Sequence, residues 1–332
     1  MGDPALSEDS QQKPSKGWLG DRPGRSLLRI SAALLGTALA GTALATIWPK
    51  PDPVGADVQS SDVSLSLAPL PEQAVMVLVV GLDADTINAP SNNAAPQGPA
   101  NADSLMLVNI STKQPVQILQ LPTELAVQLP GIEEMKALST TWQHGGIALT
   151  SDVVGELIDL PLNKPDRYLV LSRQGLRRFV EGLGDIEVTL DQTYKYEDKS
   201  QGYSVNLQAG LQTLNGAQAE QLARHKPKAN QDHQRRVRQQ LLLQGVHQQL
   251  AEIDTVTVLP ELLNVFSNQV RTDISSTEML SLMAAAISAP SPPVITELPL
   301  AARAGQQRLR ELKPNLSPVS YTHLTLPTIC SV

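Results

Sequence analysis

The residues best suited to chemistry lie at positions 224–240, where cations gather around a single acid in an otherwise acidic chain. Aspartate is a favoured residue at the start of a helix. If Asp232 opens one, a rotation of about 100° per residue puts Asp232, Arg235 and Gln239 on one narrow face. Arg238 then lies at the shoulder of that face. A solvated helix face rich in Arg and Gln would have the same composition.

Two more cations, Arg224 and Lys226, precede this helix and would approach the same ligand from a loop. The planar fork of arginine fits the oxygens of a pyrophosphate better than a point charge does. The N-terminus of a helix also favours an anion, because its backbone dipole points a partial positive charge at the ligand. The residue types and their spacing therefore predict a phosphate site.

The overall composition limits what that ligand can be. Lys and Arg total 26 against 33 Asp and Glu, and a net charge of −7 argues against general affinity for nucleic acid. Aromatic residues make up only 3% of the chain, so the composition predicts no stacking platform for bases or sugars. We therefore expect a small anionic ligand.

Several other kinds of site have no support in the sequence. Cys330 is the only cysteine, which leaves no disulfide framework and no thiolate metal site. No glycine-rich phosphate loop, zincin motif or hydrolase nucleophile motif occurs. The histidines His225, His233 and His247 lack the spacing of metal ligands, so we expect them to be solvated.

An uncharged, apolar run at residues 30–48 is close to the roughly 20 residues that span a bilayer core. Five Lys and Arg residues precede this run and few follow it, which predicts a cytoplasmic segment at 1–29 and an external main body. Residues 49–70, rich in Pro, Asp and Ser, are expected to form a linker. A cleaved signal peptide is the alternative to a membrane anchor, since Ala-Leu-Ala occurs twice near the end of the run.

The body of the chain alternates strand and helix patterns, which predicts an α/β or α+β sandwich with a central mixed β-sheet flanked by helices. The predicted strands are residues 74–80, 104–110, 116–121, 166–171 and 186–190. The predicted helices are residues 133–143, 147–159, 173–183, 211–224 and 235–253, with Gly145 and Gly146 between the first two. The pattern ends near Pro290, so we assign 71–290 to one domain and 291–319 to a Pro- and Ala-rich segment. Residues 320–332 continue no earlier pattern and are expected to be a non-native tail.

Five short motifs occur in the order and spacing of the LytR-CpsA-Psr domain, which the chain resembles over residues 74–255. They are Gly-Leu-Asp at 81–83, Ala-Asp-Ser-Leu-Met-Leu-Val at 102–108, Ile-Leu-Gln-Leu-Pro at 118–122, the segment with Leu-Asn-Gly at 207–219, and Asp-x-x-Arg-x-x-Arg-Gln-Gln at 232–240. The last motif is the most specific. The resemblance implies a membrane-anchored phosphotransferase that moves a glycopolymer from a polyprenyl-pyrophosphate carrier to peptidoglycan.

The resemblance also assigns a metal site to this chain. Asp83 and Asp103 would hold Mg²⁺, which prefers carboxylates combined with phosphate oxygens and water. Without a metal, both residues would be ordinary acids at a strand end and a turn.

The same resemblance assigns roles to the basic cluster. The expected clamp for the pyrophosphate consists of Arg224, Arg235 and Arg238, with Gln239 and Lys226 as further substrate contacts. The clamp would offset the charge that grows on the leaving phosphate as a hydroxyl attacks. Asp232 would orient those arginines, activate the hydroxyl or act only as a helix cap, and the sequence leaves these three roles open.

The chain departs from the family pattern at three positions. Asn101 and Thr123 stand where arginines are usual, and Lys226 replaces the second Arg of the usual Arg-x-Arg. Losing guanidinium donors at a pyrophosphate site costs a few kcal/mol. The consequence would be an altered donor, compensation by Lys226 and Lys228, or a loss of catalysis. A protein that binds polyprenyl phosphates without transfer and a pyrophosphate hydrolase are therefore the alternative functions.

Overall fold

The structure is a computed structural model that describes residues 69–89, 91, 98–198, 203–226, 228, 230–252, 259, 262–263, 269–302 and 308–313. The predicted membrane span, the basic segment before it and the predicted tail lie outside these residues. No helix within the described part of the chain has the length and apolar character needed to cross a membrane.

The described elements are numbered here in chain order. The strands are β1 (Val75–Leu82), β2 (Ala102–Ile110), β3 (Gln117–Leu121), β4 (Ala126–Val127), β5 (Lys136–Ala137), β6 (Arg167–Leu171), β7 (Ile186–Leu190), β8 (Tyr194–Asp198), β9 (Tyr203–Leu207), β10 (Gly210–Leu214), β11 (Val270–Thr272) and β12 (Val294–Glu297). The helices are α1 (Thr141–Leu157), α2 (Arg173–Gly182), α3 (Gly216–Arg224), α4 (Asp232–Leu250) and α5 (Ser276–Ile287), and a 3-10 turn spans Leu138–Thr140.

A six-stranded sheet has the spatial order β11-β6-β1-β2-β3-β12. β1 is parallel to β6 and β3 is parallel to β12, whereas the other neighbours are antiparallel. The predicted central mixed sheet is therefore confirmed.

Helices cover both faces of this sheet, which explains why β1 is a nearly continuous apolar run. On one face Leu78 and Val80 pack in a core that includes Val154 of α1. On the other face Val77 packs with Leu282 of α5. A strand that is buried on both sides needs apolar residues at successive positions rather than at alternate ones.

A second core lies among α2, α3 and α4 and the strand pairs β7-β10 and β8-β9. Its fully buried members include Val180, Ile186, Leu207, Leu214 and Leu222. This core fixes α3 and α4, which carry most of the candidate site residues, against the rest of the described structure.

Two predicted helices are wrong over part of their length because tertiary pairing overrides local propensity. Within 133–143, β5 pairs with β4, and the helix begins only at Thr141. Within 211–224, β10 pairs with β7 and the helix begins at Gly216, after a capping box at Asn215. The predicted break at Gly145 and Gly146 is confirmed, since both have non-helical backbone angles and Gly146 has a φ of 62°.

The second half of the chain contains elements that the sequence pattern missed. The hairpin β8-β9 lies between β7 and β10, and it was not predicted although Val205 and Leu207 of β9 follow the alternation of a half-buried strand. The pattern also does not end near Pro290, because β12 continues the sheet by pairing with β3. α4 begins at Asp232 rather than at Arg235, and Gln231 rather than Asp232 is its N-cap.

Candidate functional site

Arg235 lies at the centre of the candidate site, and two acids hold its guanidinium. Its Nη1 donates to Asp103 Oδ1 at 2.8 Å, and its Nη2 lies 3.4 Å from Asp232 Oδ1. The same Nη2 donates to Thr123 Oγ1 at 3.0 Å. Burial lowers the pKa of Arg235, but the neighbouring Asp103 and Asp232 outweigh it and raise that pKa above its ordinary value. Arg235 therefore joins α4 to the ends of β2 and β3 as a neutralised cation.

Asp83 follows the end of β1, and Asp103 lies near it at the start of β2. The backbone N–H of Asn101 donates to Asp83 Oδ1 at 2.8 Å, so this position still contributes through its main chain. Burial, together with the negative charge of Asp103, raises the pKa of Asp83 to about 6. A carboxyl whose pKa is raised by a neighbouring acid suits a site where a cation would relieve the repulsion.

Among the described residues, no cluster of three or more His, Cys, Asp or Glu side chains could hold a metal ion. Mg²⁺ is commonly held by only one or two carboxylates and completes its shell with water and phosphate oxygens. The pair of Asp83 and Asp103 therefore fits Mg²⁺ only in the presence of a phosphate ligand.

Asp232 is buried and contacts two cations. Lys226 Nζ donates to Asp232 Oδ1 at 2.9 Å, the same oxygen that Arg235 approaches. Lys226 and Arg235 therefore share one oxygen of Asp232. Of the roles left open by the sequence, the geometry favours Asp232 as the group that orients Lys226 and Arg235.

Arg238 is the buried cation with the least compensation. Its Nη2 donates to the backbone carbonyl of His225, and its guanidinium lies 5.3 Å from the ring centre of Tyr194. No described carboxylate forms an ion pair with it, and its buried Nε has no hydrogen-bond partner among the described residues. Burial lowers the pKa of Arg238, with Tyr194 acting in the opposite direction. A guanidinium in this environment is suited to an anionic ligand.

Arg224 ends α3 and faces the same region. Its Nη1 donates to Glu220 Oε1 at 3.0 Å, and its guanidinium lies 5.0 Å from the ring centre of Tyr203. Its positive charge acts on Asp83, whose pKa it lowers slightly against the stronger effects of burial and Asp103. Arg224 is therefore the cation that faces both the acid pair and the hairpin β8-β9.

Gln239 lies on α4 beside the end of α3. Its Nε2 donates to the backbone carbonyl of Ala223 at 3.3 Å, so its amide ties α4 to the end of α3. This bond joins the helices that carry Arg224 and Arg238, and the role of Gln239 as a substrate contact stays a prediction.

The expectation that His225 is solvated is wrong. His225 is buried rather than solvated, and burial followed by the charge of Arg238 lowers its pKa to about 4. Its ring lies 5.4 Å from that of Tyr194 and 5.9 Å from that of Tyr196. Although aromatic residues are scarce, the hairpin β8-β9 places Tyr194 beside Arg238 and Tyr203 beside Arg224, which composition alone does not reveal.

Two buried charged residues near the site were not predicted from the sequence. Arg236, the neighbour of Arg235, is buried and binds Glu124 Oε2 at 2.8 Å and Glu297 Oε1 at 2.6 Å. The occurrence of two adjacent arginines gave no signal that they point to different partners. Glu220 accepts hydrogen bonds from Arg173, Arg177 and Arg224. In the sequence, only its position four residues before Arg224 indicates an ion pair.

The sequence and the fold match known proteins. The family model LytR_cpsA_psr matches residues 49–301. The polyisoprenyl-teichoic acid–peptidoglycan teichoic acid transferase TagU of Enterococcus faecalis is 26% identical over 204 residues, which cover 61% of this chain and 62% of that protein. TagU of Bacillus subtilis is 26% identical over 180 residues, which cover 54% of this chain and 56% of that protein. The chain thus spans less than two thirds of the length of these relatives.

Solved structures show the same fold. The crystal structure of B. subtilis TagV matches with a TM-score of 0.60 and 18% identity, over 77% of this chain and 97% of that one. TagT bound to LI-WTA matches with a TM-score of 0.57 and 21% identity, over 76% of this chain and 90% of that one. Since the family model covers most of the sequence, the chain belongs to the LytR_cpsA_psr family.

Proposed function

We propose that this protein is a phosphotransferase that moves a glycopolymer from a polyprenyl-pyrophosphate carrier to peptidoglycan. The observation that carries this proposal is Arg238, a buried guanidinium that no described carboxylate neutralises. Arg224 is close enough to Asp83 for its charge to lower the pKa of that carboxyl, which burial and Asp103 raise. The names of the relatives, which specify transfer of teichoic acid from a polyisoprenyl carrier to peptidoglycan, support the same chemistry.

The proposed reaction is a displacement at phosphorus. A hydroxyl of peptidoglycan forms a bond to the phosphorus that carries the glycan and releases its proton to water. The bond from that phosphorus to the bridging oxygen breaks, and polyprenyl phosphate leaves with the electron pair. Negative charge grows on the leaving phosphate, where Arg224 and Arg238 would stabilise it. Asp232 acts by orienting Lys226 and Arg235, because both cations lie within ion-pair distance of its Oδ1.

We propose Asp83 and Asp103 as the residues that hold Mg²⁺ once a pyrophosphate is bound. The raised pKa of Asp83 supports this assignment, since it reflects burial beside a second negative charge. When bound, the ion would offset charge on the phosphate oxygens. Arg235 would keep Asp103 in place for that contact, given the 2.8 Å hydrogen bond between them.

The proposed location is the outer face of a cell membrane. Residues 30–48 would form a single membrane-spanning helix, with residues 1–29 in the cytoplasm and the described domain outside. The partners would be the lipid-linked glycan, peptidoglycan and the membrane, without nucleic acid. The net charge of −7 supports the last point.

A binding protein without transfer activity is the second candidate. Thr123 favours it, because this residue only accepts a hydrogen bond from Arg235 where the family pattern places a further arginine. Arg235 is also occupied by two acids, so fewer cations are left for a second phosphate.

Incubation of the purified full-length chain with a polyprenyl-pyrophosphate sugar, Mg²⁺ and a peptidoglycan fragment separates these functions. We expect the glycan phosphate on the peptidoglycan fragment and an equal amount of free polyprenyl phosphate. Binding without product would support the second candidate. Glycan phosphate released without attachment would instead indicate hydrolysis, in which water takes the place of the hydroxyl.

A further inference from the structure

Glu220 is a buried acid that the proposed reaction does not use. Only 2% of its side chain is exposed, yet three arginines donate hydrogen bonds to its carboxylate. Arg173 Nε lies 2.7 Å from Oε1, Arg177 Nη2 lies 2.6 Å from Oε2, and Arg224 Nη1 lies 3.0 Å from Oε1. Burial by itself would raise the pKa of Glu220, but Arg173 and the other two cations outweigh burial and lower that pKa. Glu220 is therefore a carboxylate with an excess of positive charge around it.

The three arginines reach Glu220 from two helices. Arg173 and Arg177 are four residues apart on α2, so they project from the same face of that helix. Glu220 and Arg224 have the same spacing on α3. The carboxylate therefore lies where α2 and α3 meet, and it holds the last residue of α3 against α2.

Arg173 extends this network to the loop that carries Asp83. Its Nη1 lies 3.1 Å from Asp85 Oδ1, and its backbone N–H donates to the carbonyl of Ala84 at 2.9 Å. Asp85 is two residues beyond Asp83. A continuous chain of contacts thus runs from Arg224 through Glu220 and Arg173 to the end of β1.

We propose that Glu220 is a positioning residue that sets the distance between Arg224 and the loop of Asp83. Arg224 would contact the pyrophosphate and Asp83 would hold the metal, so the two must be correctly spaced to act on the same ligand. This inference rests on the proposed function, which supplies the pyrophosphate. It adds an acid that acts on the substrate only through the arginines around it.

A double-mutant cycle on the full-length chain tests this role. Affinity for farnesyl pyrophosphate in the presence of Mg²⁺ is measured for the wild type, Glu220→Gln, Arg224→Ala and the double variant. We expect each single variant to bind at least about 10-fold more weakly, as expected for the loss of one charged hydrogen bond. We expect the double variant to be within about 3-fold of Arg224→Ala, since Glu220 acts through Arg224. Independent effects that multiply in the double variant would overturn the proposal.

Glu278→Gln is the matched control, because Glu278 also pairs with an arginine, Arg167, at 2.9 Å. We expect this variant to bind farnesyl pyrophosphate like the wild type. Glu220→Asp keeps the charge but shortens the side chain, so its affinity should lie between those of the wild type and Glu220→Gln. It also replaces Glu220→Gln in the cycle if the latter does not fold, as judged by circular dichroism and Tm.

A second measurement tests the position of Arg224 without any ligand. The rate at which phenylglyoxal modifies Arg224, followed by mass spectrometry of its peptide, should rise several-fold in Glu220→Gln and stay constant in Glu278→Gln. An unchanged rate in Glu220→Gln would contradict the positioning role, even if binding fell. If the wild type bound no farnesyl pyrophosphate, the proposed function would fail while this measurement would still decide the role of Glu220.

Discussion

Two pairs of arginines lie near the start of α4, and they differ in how their charge is balanced. On the sheet side, Arg235 is paired with Asp103 and Asp232, while Arg236 is paired with Glu124 and Glu297. On the hairpin side, Arg238 and Arg224 lie over the rings of Tyr194 and Tyr203, and Arg224 shares the single acid Glu220 with Arg173 and Arg177.

The partners of each pair determine what it can do. A buried cation with two carboxylates has little charge left for a ligand, and removing it would leave those carboxylates uncompensated. An aromatic ring stabilises a guanidinium through its face without neutralising it. The sheet side therefore holds the elements together. On the hairpin side Arg238 has no described carboxylate partner, and Arg224 is one of three arginines around a single acid, so positive charge remains available for a phosphate. Adjacent arginines in one motif thus have separate roles.

The largest expected effect concerns stability on the sheet side. Arg236→Ala should lower the free energy of unfolding by about 3 to 5 kcal/mol, because it leaves Glu124 buried and unpaired. Chemical denaturation of the full-length chain measures this change. Arg178→Ala is the control, since its ion pair with Glu181 is exposed and should contribute less than about 1 kcal/mol. If the two substitutions lowered the free energy of unfolding equally, the proposed structural role of Arg236 would be wrong.

The next effect concerns binding on the hairpin side. Arg238→Ala should weaken binding of farnesyl pyrophosphate by about 2 to 3 kcal/mol, the contribution expected of hydrogen bonds to a charged group. Its stability should be unchanged or higher, because the wild-type cation is buried without a carboxylate. Isothermal titration calorimetry and denaturation measure the two quantities. If Arg238→Ala lowered the free energy of unfolding without changing the affinity for farnesyl pyrophosphate, Arg238 would have a structural role instead.

The pH dependence of stability provides a third test. Burial lowers the pKa of His225 to about 4, below its ordinary value of 6.5. Between these two pH values the folded state therefore binds fewer protons than the unfolded state. The contribution of His225 to the free energy of unfolding is fully present above pH 6.5, and it is lost as the pH falls towards 4. The difference in unfolding free energy between the wild type and His225→Gln should shrink by about 2 kcal/mol across this window. A constant difference would indicate that His225 is accessible to protons in the folded state.

The smallest expected effect tests the aromatic contact itself. Tyr194→Leu should weaken binding of farnesyl pyrophosphate by about 1 kcal/mol, because the ring that orients Arg238 is lost. Tyr168→Leu is the control, since Tyr168 lies in β6 and packs against the core on the sheet. It should change stability without changing affinity. If Tyr168→Leu weakened binding as much as Tyr194→Leu, a general loss of packing would explain both.

The strands of the central sheet were predicted correctly where the residue pattern of a strand does not depend on its partners. The apolar run of β1 needs no partner to be recognised, since burial on both faces requires it. The strand β10 was missed because Leu211 is 64% exposed, and only its pairing with β7 makes this segment extended. The strand β12 was missed for a similar reason, since its four residues become a strand by joining the edge formed by β3.

For the candidate site, helical spacing predicted that Asp232 and Arg235 share a face, and the structure places both on the buried side of α4. Spacing does not identify partners from distant segments. The pairing of Arg236 with Glu297 joins residues 61 positions apart, and that of Arg235 with Asp103 joins residues 132 positions apart. Which arginine keeps its charge for a ligand therefore depends on tertiary contacts.

A crystal structure of the full-length chain with Mg²⁺ and a polyprenyl pyrophosphate would test the central claim most directly. The proposed division of the arginines predicts phosphate oxygens within hydrogen-bond distance of Arg238 and Arg224, with Arg236 still paired to Glu124. Phosphates that contact neither Arg238 nor Arg224, or that displace Glu124 from Arg236, would contradict it.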